Sequence, residues 1–242
     1  MRIENAMVLA AGLGTRMRPI TETIPKPLVE VAGKPLIDYA LDNLRAAGCH
    51  RVVINVHHLA EQMEAHLAQI SDLEIVISDE RGELLNSGGG LAKGLKLLPE
   101  GPVFVMNADL FWLGEGKQTQ SNLERLAGFF DPATMDMALL CVPLARTTGH
   151  NGKSDFRLHT DGRLTRYKAG EPDGVVYAGA IAMSSRLLAD APEDAFNLNI
   201  YFDRAIASGR LYGMTLVGEW ITVGTPDAIA LAEATISRMT EG

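Results

Sequence analysis

Short apolar runs that suit buried β-strands alternate with segments of helical hydrophobic spacing along the first half of the chain. The links between them are short. This alternation predicts an α/β fold, in which a central, mostly parallel sheet is flanked by helices. The predicted elements of this half are, in chain order, strand Met7–Ala11, helix Pro35–Gly48, strand Arg51–His58, helix Ala60–Gln69, strand Leu73–Ser78, a glycine-rich turn at Asn86–Gly90 that opens a helix to about Leu98, and strand Pro102–Asp109.

The second half of the chain is richer in strand signals. We find no repeat, linker or break in composition, and therefore expect one domain over residues 1–242. The predicted elements are helix Gln120–Phe130, strand Met137–Leu144, a hairpin at Ser154–Tyr167 that turns at Asp161-Gly162, strand Val175–Met183, helix Asn199–Gly209, strand Leu211–Gly218 and a last helix that Thr225-Pro226 caps and that ends near Met239.

The balance of charge narrows the possible partners. The chain has 30 acidic and 22 basic side chains, a net charge of −8. Proteins that bind the phosphate backbone of nucleic acids or anionic membranes need a basic face, so we expect neither partner.

Cys49 and Cys141 match no metal or redox spacing and read as buried, reduced thiols. No apolar run approaches the ~18 residues of a membrane span, and the first residues read as a strand rather than a signal peptide. These features predict a soluble, cytoplasmic protein.

The stretch LAAGLGTRMRPITETIPKPL, from Leu9 to Leu28, follows the first predicted strand and concentrates positive charge in an acidic chain. Gly12 and Gly14 let successive backbone N–H groups approach a phosphate. The spacing fits neither a dinucleotide-binding fingerprint nor a Walker A loop. From the glycines alone, a plain tight turn remains the alternative.

The whole stretch closely resembles the signature of the sugar-1-phosphate nucleotidyltransferases, L-A-A-G-x-G-T-R-[LM]-x-P-x-T-x-x-x-P-K-P-L. Every defined position has its counterpart between Leu9 and Leu28. The resemblance implies a Rossmann-like fold with a nucleotide-binding half at about residues 1–110 and a β-rich sugar-binding half at about residues 111–242. It also implies an enzyme that joins a nucleoside triphosphate to a sugar 1-phosphate and releases pyrophosphate.

Two cations of the stretch suit that reaction. Arg16 offers a planar, multidentate donor to the triphosphate, and Lys26 is a point charge between two prolines. The resemblance implies that Arg16 and Lys26 are the catalytic residues and that Lys26 contacts the phosphates at the reaction centre. Arg18 occupies a variable position of the signature, so a phosphate contact and a structural role both remain open.

The resemblance also implies where the nucleotide binds. The family contacts the nucleobase with the opening backbone and with a later glycine-rich turn, to which NSGGG corresponds here. A helix N-cap with flexible glycines is the alternative reading of that turn. The implied nucleotide-binding residues are Ala10, Ala11, Gly12, Gly14, Thr15, Ser87, Gly88, Gly89 and Asn107.

Asp109 ends a buried strand, where a carboxylate is costly unless it is paired or binds a cation. Its segment VMNADLF matches a strand-end element of the family. We therefore expect Asp109 to bind a Mg²⁺ ion that also contacts nucleotide phosphate oxygens. A structural role of Asp109 as a turn or helix cap is the alternative.

Within the family, the chain most resembles the short bacterial N-acetylmuramate-1-phosphate uridylyltransferases of peptidoglycan recycling. Its length leaves no room for a C-terminal β-helix, SGGG resembles that branch's T-G-G-G, and GHNGKSDFRL resembles its H-x-G-x-x-D-F segment. The resemblance implies UTP and N-acetylmuramic acid 1-phosphate as substrates. It also implies sugar contacts from Asp155, from Gly179 and from Glu171, whose Pro-Asp-Gly context equally fits a plain turn.

One departure from the family concerns the metal. Many relatives carry a second metal-binding aspartate in W-x-D-[VI]-G-T, where this chain has Thr222. A hydroxyl is a weaker Mg²⁺ ligand than a carboxylate. Asp203 or Glu219 could supply the missing carboxylate, or the chemistry could be slowed.

The sequence leaves the substrates open. Another sugar 1-phosphate (a hexose or heptose) with GTP, CTP or dTTP fits the same motifs, and a sensor that binds nucleotides without turnover is the alternative from another class. The expected partners are small molecules bound by a monomer.

Overall fold

The structure is a computed structural model, which describes residues 1–115 and 120–240. The described residues form six α-helices around a large sheet. The helices are α1 (Leu36–Ala46), α2 (Ala60–Leu67), α3 (Asn86–Leu95), α4 (Asn122–Phe129), α5 (Asn199–Ala207) and α6 (Pro226–Thr240). The strands are β1 (Asn5–Leu9), β2 (Glu30–Val31), β3 (Lys34–Pro35), β4 (Arg51–Val56), β5 (Glu74–Asp79), β6 (Pro102–Asn107), β7 (Leu110–Leu113), β8 (Met137–Pro143), β9 (Thr147–Thr148), β10 (Phe156–Leu158), β11 (Leu164–Arg166), β12 (Gly174–Ser184), β13 (Leu211–Thr215) and β14 (Glu219–Thr222).

The main sheet joins strands from both halves of the chain. Its order is β11-β10-β12-β6-β1-β4-β5, and β8 and β13 extend it from β12. The strands β6, β1, β4 and β5 are parallel, with β1 between β4 and β6. The strand β12 runs antiparallel to β6 and connects the second half to the first. The predicted α/β fold with a central, mostly parallel sheet flanked by helices is confirmed.

Alternate residues of the central strands face opposite sides of the sheet, as the pleat requires. In β1, Ala6 and Val8 belong to the buried cluster that includes residues of α1, α2 and α4, whereas Met7 belongs to the cluster that includes residues of α3 and α5. Apolar residues on both faces explain why these strands have continuous apolar sequences rather than alternating ones. The stripe of buried residues along α1, from Leu36 to Leu44, is the helical spacing that the sequence shows.

A second, three-stranded sheet was not predicted. Its order is β7-β14-β9, and it follows the segment around Asp109. A separate apolar cluster joins this sheet to the loop after β1 and to α6, through residues that include Met17, Phe111 and Ala232. The main-chain N–H of Ala32 also donates to Oε1 of Glu233, 3.1 Å away. The loop after β1 is therefore packed from outside by α6.

Several predicted boundaries differ from those observed. The strand β1 ends at Leu9 rather than Ala11, because Oδ1 of Asn55 accepts the hydrogen bond of Ala10 N at 2.6 Å. The helix α3 begins at Asn86, so Gly88, Gly89 and Gly90 form its first turns and not a preceding turn. The predicted hairpin turning at Asp161-Gly162 is present as β10 and β11, with Gly162 at a φ of 84°.

The two cysteines are free, buried thiols, as predicted. Burial, with a smaller contribution from Glu4, raises the pKa of Cys49 to about 12, and burial also raises the pKa of Cys141. Within residues 1–115 and 120–240, each helix is too short or too polar to cross a lipid bilayer.

Candidate active site

A cleft of about 680 Å³ opens at the carboxyl ends of β1, β4, β5 and β6, where ligands bind in open α/β sheets. We call it the main cleft. Its walls also include Asn55, Glu80, Ala195 and Gly224. Of the predicted site residues, those that line it are Ala10, Ala11, Gly12, Gly14, Thr15, Arg16, Lys26, Ser87, Asn107 and Asp109.

The segment from Ala10 to Leu28, which we call the opening loop, is folded into three short 3-10 turns. Gly14 has a φ of 62°, and a Cβ there would lie 2.9 Å from Cγ2 of Thr21, so only glycine fits. Oγ1 of Thr21 donates to the carbonyl of Gly14 at 2.8 Å. The ring Nε2 of His58 lies 2.7 Å from the carbonyl of Thr21. These contacts fix the loop that carries Arg16 and Lys26.

Lys26 and Asp109 form an ion pair on the wall of the main cleft. Nζ of Lys26 lies 2.5 Å from Oδ2 of Asp109, with exposed fractions of 11% for the Lys26 side chain and 33% for that of Asp109. The flanking Pro25 and Pro27 restrict the backbone of Lys26. Because an anion that enters the cleft meets a cation already held in place, this site suits a phosphate group.

Arg16 is exposed and lies on the wall of the main cleft formed by the opening loop and the segment after β14. A Cβ atom at Gly224 would lie 3.5 Å from Nη1 of Arg16, so the guanidinium rests against that glycine. Among the described residues, the Arg16 side chain forms no hydrogen bond or ion pair. Its donors remain available to a ligand.

A buried polar network connects the start of the opening loop to α3. Ala10 N donates to Oδ1 of Asn55 at 2.6 Å, and Nδ2 of Asn55 donates to Oε1 of Glu80 at 2.6 Å. Oε2 of Glu80 accepts from Leu85 N at 3.1 Å. Neither Asn55 nor Glu80 is among the site residues predicted from the sequence. The available signal was a polar residue inside the buried strand β4 and a carboxylate directly after β5.

A second cleft of about 250 Å³, which we call the side cleft, adjoins the main cleft and shares Leu9, Ser87 and Asn107 with it. Asp155, a predicted sugar-binding residue, lies here, and its Oδ2 accepts from Tyr177 N at 2.9 Å. The remaining residues that line the side cleft are Phe156, Arg166, Tyr177, Asn197, Leu198, Asn199 and Phe202.

The hydroxyl of Tyr177 is buried and has no hydrogen-bond partner among the described residues. Burial raises the pKa of this phenol, and the nearby Cys141, Asp109 and Asp155 raise it further. A buried hydroxyl without a partner costs about 1–3 kcal/mol. Tyr177 lines the side cleft, while its hydroxyl is enclosed by the protein.

The predicted nucleotide-binding glycines Gly88 and Gly89 lie outside the main cleft. Both backbone N–H groups donate to the carbonyl of Phe196, at 2.8 and 3.2 Å. A Cβ at Gly88 would lie 2.3 Å from the Phe196 ring, and a Cβ at Gly89 would lie 2.8 Å from the carbonyl of Asp194, so both glycines allow close contact with this segment. Ser87 Oγ accepts from Leu198 N at 3.0 Å. The contact of Gly88 and Gly89 with a nucleotide therefore stays a prediction.

Three further candidates lie away from both clefts. The carboxylate of Glu171 accepts from Lys168 N at 3.2 Å within a turn. Gly179 has a φ of 76°, and a Cβ there would lie 2.3 Å from the Leu110 side chain, so close packing explains this glycine. Arg18 is exposed. For Glu171 and Gly179, contact with a sugar stays a prediction.

The donor set around Asp109 fits a weakly held divalent cation. The described part of the chain contains no group of three or more His, Cys, Asp or Glu side chains placed to bind a metal. Thr222 lies beside Asp109, and its Oγ1 is 3.5 Å from the Asp109 carbonyl. Neither of the suggested substitutes is nearby: Asp203 pairs with Arg166, and Glu219 lies at the far end of β14. Mg²⁺ commonly takes one or two carboxylates with substrate phosphates and water, which a single Asp109 satisfies.

A Rossmann-like sheet with a cation-bearing loop at its strand ends is the arrangement of an α/β protein that binds a phosphate-containing ligand. The chain belongs to the nucleotidyl transferase family, whose model matches residues 5–142. Because two relatives that match nearly its whole length are also described as uridylyltransferases of a sugar 1-phosphate, the chain is a sugar-1-phosphate nucleotidyltransferase, as the sequence predicts.

Two curated relatives match nearly the whole chain. One from Caulobacter vibrioides is described as N-acetylmuramate alpha-1-phosphate uridylyltransferase and is 44% identical over 237 residues, 96% of each chain. One from Neisseria meningitidis serogroup B has the same description and is 32% identical over 234 residues, 95% of this chain and 96% of the relative. The solved inositol-1-phosphate CTP transferase from T. maritima shares the fold at a TM-score of 0.76 and 16% identity, covering 100% of this chain and 98% of that one.

Proposed function

We propose that the chain transfers a uridylyl group from UTP to N-acetylmuramic acid 1-phosphate and releases pyrophosphate. The names of the two full-length relatives support this choice of substrates. The corresponding cellular role is the recycling of peptidoglycan sugars.

The junction of the two clefts is the observation that carries the proposal. The main cleft has Arg16 and Lys26 on its wall, and the side cleft adjoins it at Ser87 and Asn107. A triphosphate in the main cleft and a sugar in the side cleft would bring two phosphates together beside the Lys26–Asp109 pair. Holding two reactants in this way supplies much of the acceleration in phosphoryl transfer.

The reaction needs no covalent enzyme intermediate. An oxygen of the sugar 1-phosphate forms a bond to the α-phosphorus of UTP while the bond from that phosphorus to the bridging oxygen breaks. The bridging oxygen keeps the electron pair and leaves with pyrophosphate. Because a phosphate monoester is mostly a dianion at neutral pH, the attacking oxygen requires no general base. The protein must mainly stabilise the negative charge that develops on the leaving pyrophosphate.

Arg16 and Lys26 are the cations that would stabilise this charge. The guanidinium of Arg16 is placed to bind the triphosphate with several donors, and the ammonium of Lys26 to neutralise the phosphates that react. Asp109, with nucleotide phosphate oxygens, would hold Mg²⁺, which when bound supplies further neutralisation of the pyrophosphate.

Pyrophosphate release from a matrix of substrates tests the proposal. UTP, CTP, GTP and dTTP are each combined with the 1-phosphates of N-acetylmuramic acid, N-acetylglucosamine, glucose, mannose and a heptose, in the presence of Mg²⁺. We expect the highest kcat/KM for UTP with N-acetylmuramic acid 1-phosphate. A higher value for another pair would overturn the proposed substrates and leave the class intact. Binding of UTP without release of pyrophosphate for any pair would overturn the catalytic role.

A further inference from the structure

Among the described residues that line the side cleft, Arg166 is the only basic one. The other cations of the candidate site, Arg16 and Lys26, line the main cleft and are absent from the side cleft. A ligand that spans both clefts therefore meets positive charge at two separate places, one at the phosphates and one at Arg166.

The guanidinium of Arg166 is held in one orientation. Its Nε donates to Oδ1 of Asp203 at 2.8 Å, and its Nη2 donates to Oδ1 of Asn199 at 2.9 Å. Its Cζ lies 4.9 Å from the centre of the Phe156 ring. The edge formed by Nε and Nη2 is thus occupied, whereas Nη1 donates no hydrogen bond within the part of the chain that the structure describes. Nη1 remains as a fixed, charged donor.

An acceptor sugar bound for the reaction would extend toward Arg166. Its 1-phosphate must reach the reacting phosphate beside Lys26, so its ring would extend past Asn107 into the side cleft. Asp155 can accept hydrogen bonds from sugar hydroxyls there. Among the described residues that line this cleft, Arg166 alone carries a cation that could pair with a negatively charged substituent of the sugar.

We propose that Arg166 selects acidic acceptors by binding a carboxylate on the sugar. The inference rests on the proposed function and deepens it. N-acetylmuramic acid differs from N-acetylglucosamine by a lactyl ether that ends in a carboxylate, so this contact separates two acceptors that are otherwise alike. The pairing with Asp203 partly offsets the charge of Arg166 but orients its free donor, and a fixed donor loses less entropy on binding.

The test compares two acceptors in three variants. Arg166→Gln removes the charge, Arg166→Lys keeps it, and Arg163→Gln is the matched control. Arg163 lies in the same hairpin, pairs with Asp161 at 3.1 Å and lines neither cleft. The kcat/KM is measured with UTP and either N-acetylmuramic acid 1-phosphate or N-acetylglucosamine 1-phosphate; a slow acceptor is measured as a competitive inhibitor. UTP binding and thermal unfolding are recorded for each variant.

We expect Arg166→Gln to lower kcat/KM for the acidic acceptor by about tenfold or more, and to change the value for the neutral acceptor by less than about threefold. Arg166→Lys should retain part of the preference, and Arg163→Gln should leave both values unchanged. An equal loss for both acceptors would show that Arg166 only supports the fold, and no loss would also overturn the proposal. If the wild-type chain did not use N-acetylmuramic acid 1-phosphate but used a neutral sugar, the proposed function would fail instead.

Discussion

Nζ of Lys26 and Oδ2 of Asp109 are 2.5 Å apart, and this ion pair joins the opening loop to the residues after β6. The two groups are the candidates for a phosphate contact and for a metal contact. Without substrates each therefore neutralises the other. A bound triphosphate and its cation would offer both groups new partners of opposite charge, so the pair keeps a buried ammonium satisfied until substrate arrives.

Lys26→Met should lower kcat by about 100-fold or more, because a donor that stabilises transition-state charge is lost. Since 33% of the Asp109 side chain is exposed, water can replace Lys26. The free energy of unfolding should thus fall by no more than about 2 kcal/mol. Steady-state pyrophosphate release and urea unfolding check the two effects. Lys34→Met, which removes an exposed lysine paired with Asp42, is the control and should retain activity. Wild-type turnover in Lys26→Met would contradict the role of Lys26.

Thr222→Asp should place a second carboxylate beside Asp109, because Thr222 Oγ1 already lies 3.5 Å from the Asp109 carbonyl. We expect the Mg²⁺ concentration for half-maximal rate to fall by about tenfold. Binding of Mn²⁺, followed by electron paramagnetic resonance, should tighten in parallel. Thr222→Asn is the neutral control of the same shape. The same metal dependence in both variants would show that this position does not contact the cation.

Tyr177→Phe should leave the free energy of unfolding unchanged or raise it by up to about 1 kcal/mol, because the buried hydroxyl has no partner. Tyr39→Phe is the matched control. Its hydroxyl donates to the carbonyl of Val31 at 2.8 Å, so its loss should cost about 1 kcal/mol. Equal destabilisation in the two variants, by urea unfolding, would be inconsistent with this reading.

Glu80→Gln should weaken the network that positions Ala10. Both Glu80 carboxylate oxygens accept hydrogen bonds, one from Asn55 Nδ2 and one from Leu85 N. In the glutamine variant an NH2 group replaces one of these oxygens, so a donor would face either Asn55 Nδ2 or Leu85 N. We expect a loss of about 1–3 kcal/mol in the free energy of unfolding and a higher KM for the nucleotide. Glu83→Gln changes an exposed carboxylate on the same segment and should alter neither. A variant with wild-type stability and KM would rule out a positioning role for Glu80.

The buried thiol of Cys49 should make the fold less stable at alkaline pH. Its pKa is raised to about 12 in the folded chain, whereas an unfolded thiol loses its proton near about 8.5. The unfolded state therefore binds fewer protons between these values, and stability falls as pH rises through that window. By pH 10 the loss should reach about 2 kcal/mol for this group. Urea unfolding of wild type and Cys49→Ala from pH 7 to 10 measures it, and identical slopes would contradict the prediction.

The sequence predicts the parallel half of the fold well because its signals are local. Apolar runs mark β4 and β6, and the helical spacing of α1 is visible in the residues that become buried. The strands β7, β9 and β14 carry no such signal, since each has four residues or fewer and pairs with strands remote in sequence. Their existence depends on packing that only the folded chain provides.

Some residues of the candidate site are likewise predictable from a local motif, and others are not. A long, dense motif made the opening loop and its cations recognisable, and the structure brings Arg16, Lys26 and Asp109 to one cleft. Single residues in ordinary contexts were less informative. Glycines such as Gly88 and Gly179 are explained by close contacts with Phe196 and Leu110, which no local pattern reveals. Arg166 and Tyr177 went unnoticed for the same reason.

The packing of α6 against the opening loop has a consequence for synthesis on the ribosome. Ala32 and Glu233 are joined across 201 positions of sequence, and Met17 shares its apolar cluster with Ala232. The loop that carries the catalytic candidates leaves the ribosome early, yet it lacks its outer support until α6 has emerged. Contacts so remote in sequence form late and slowly. Much of the sheet can thus assemble on the nascent chain before the opening loop reaches its final conformation.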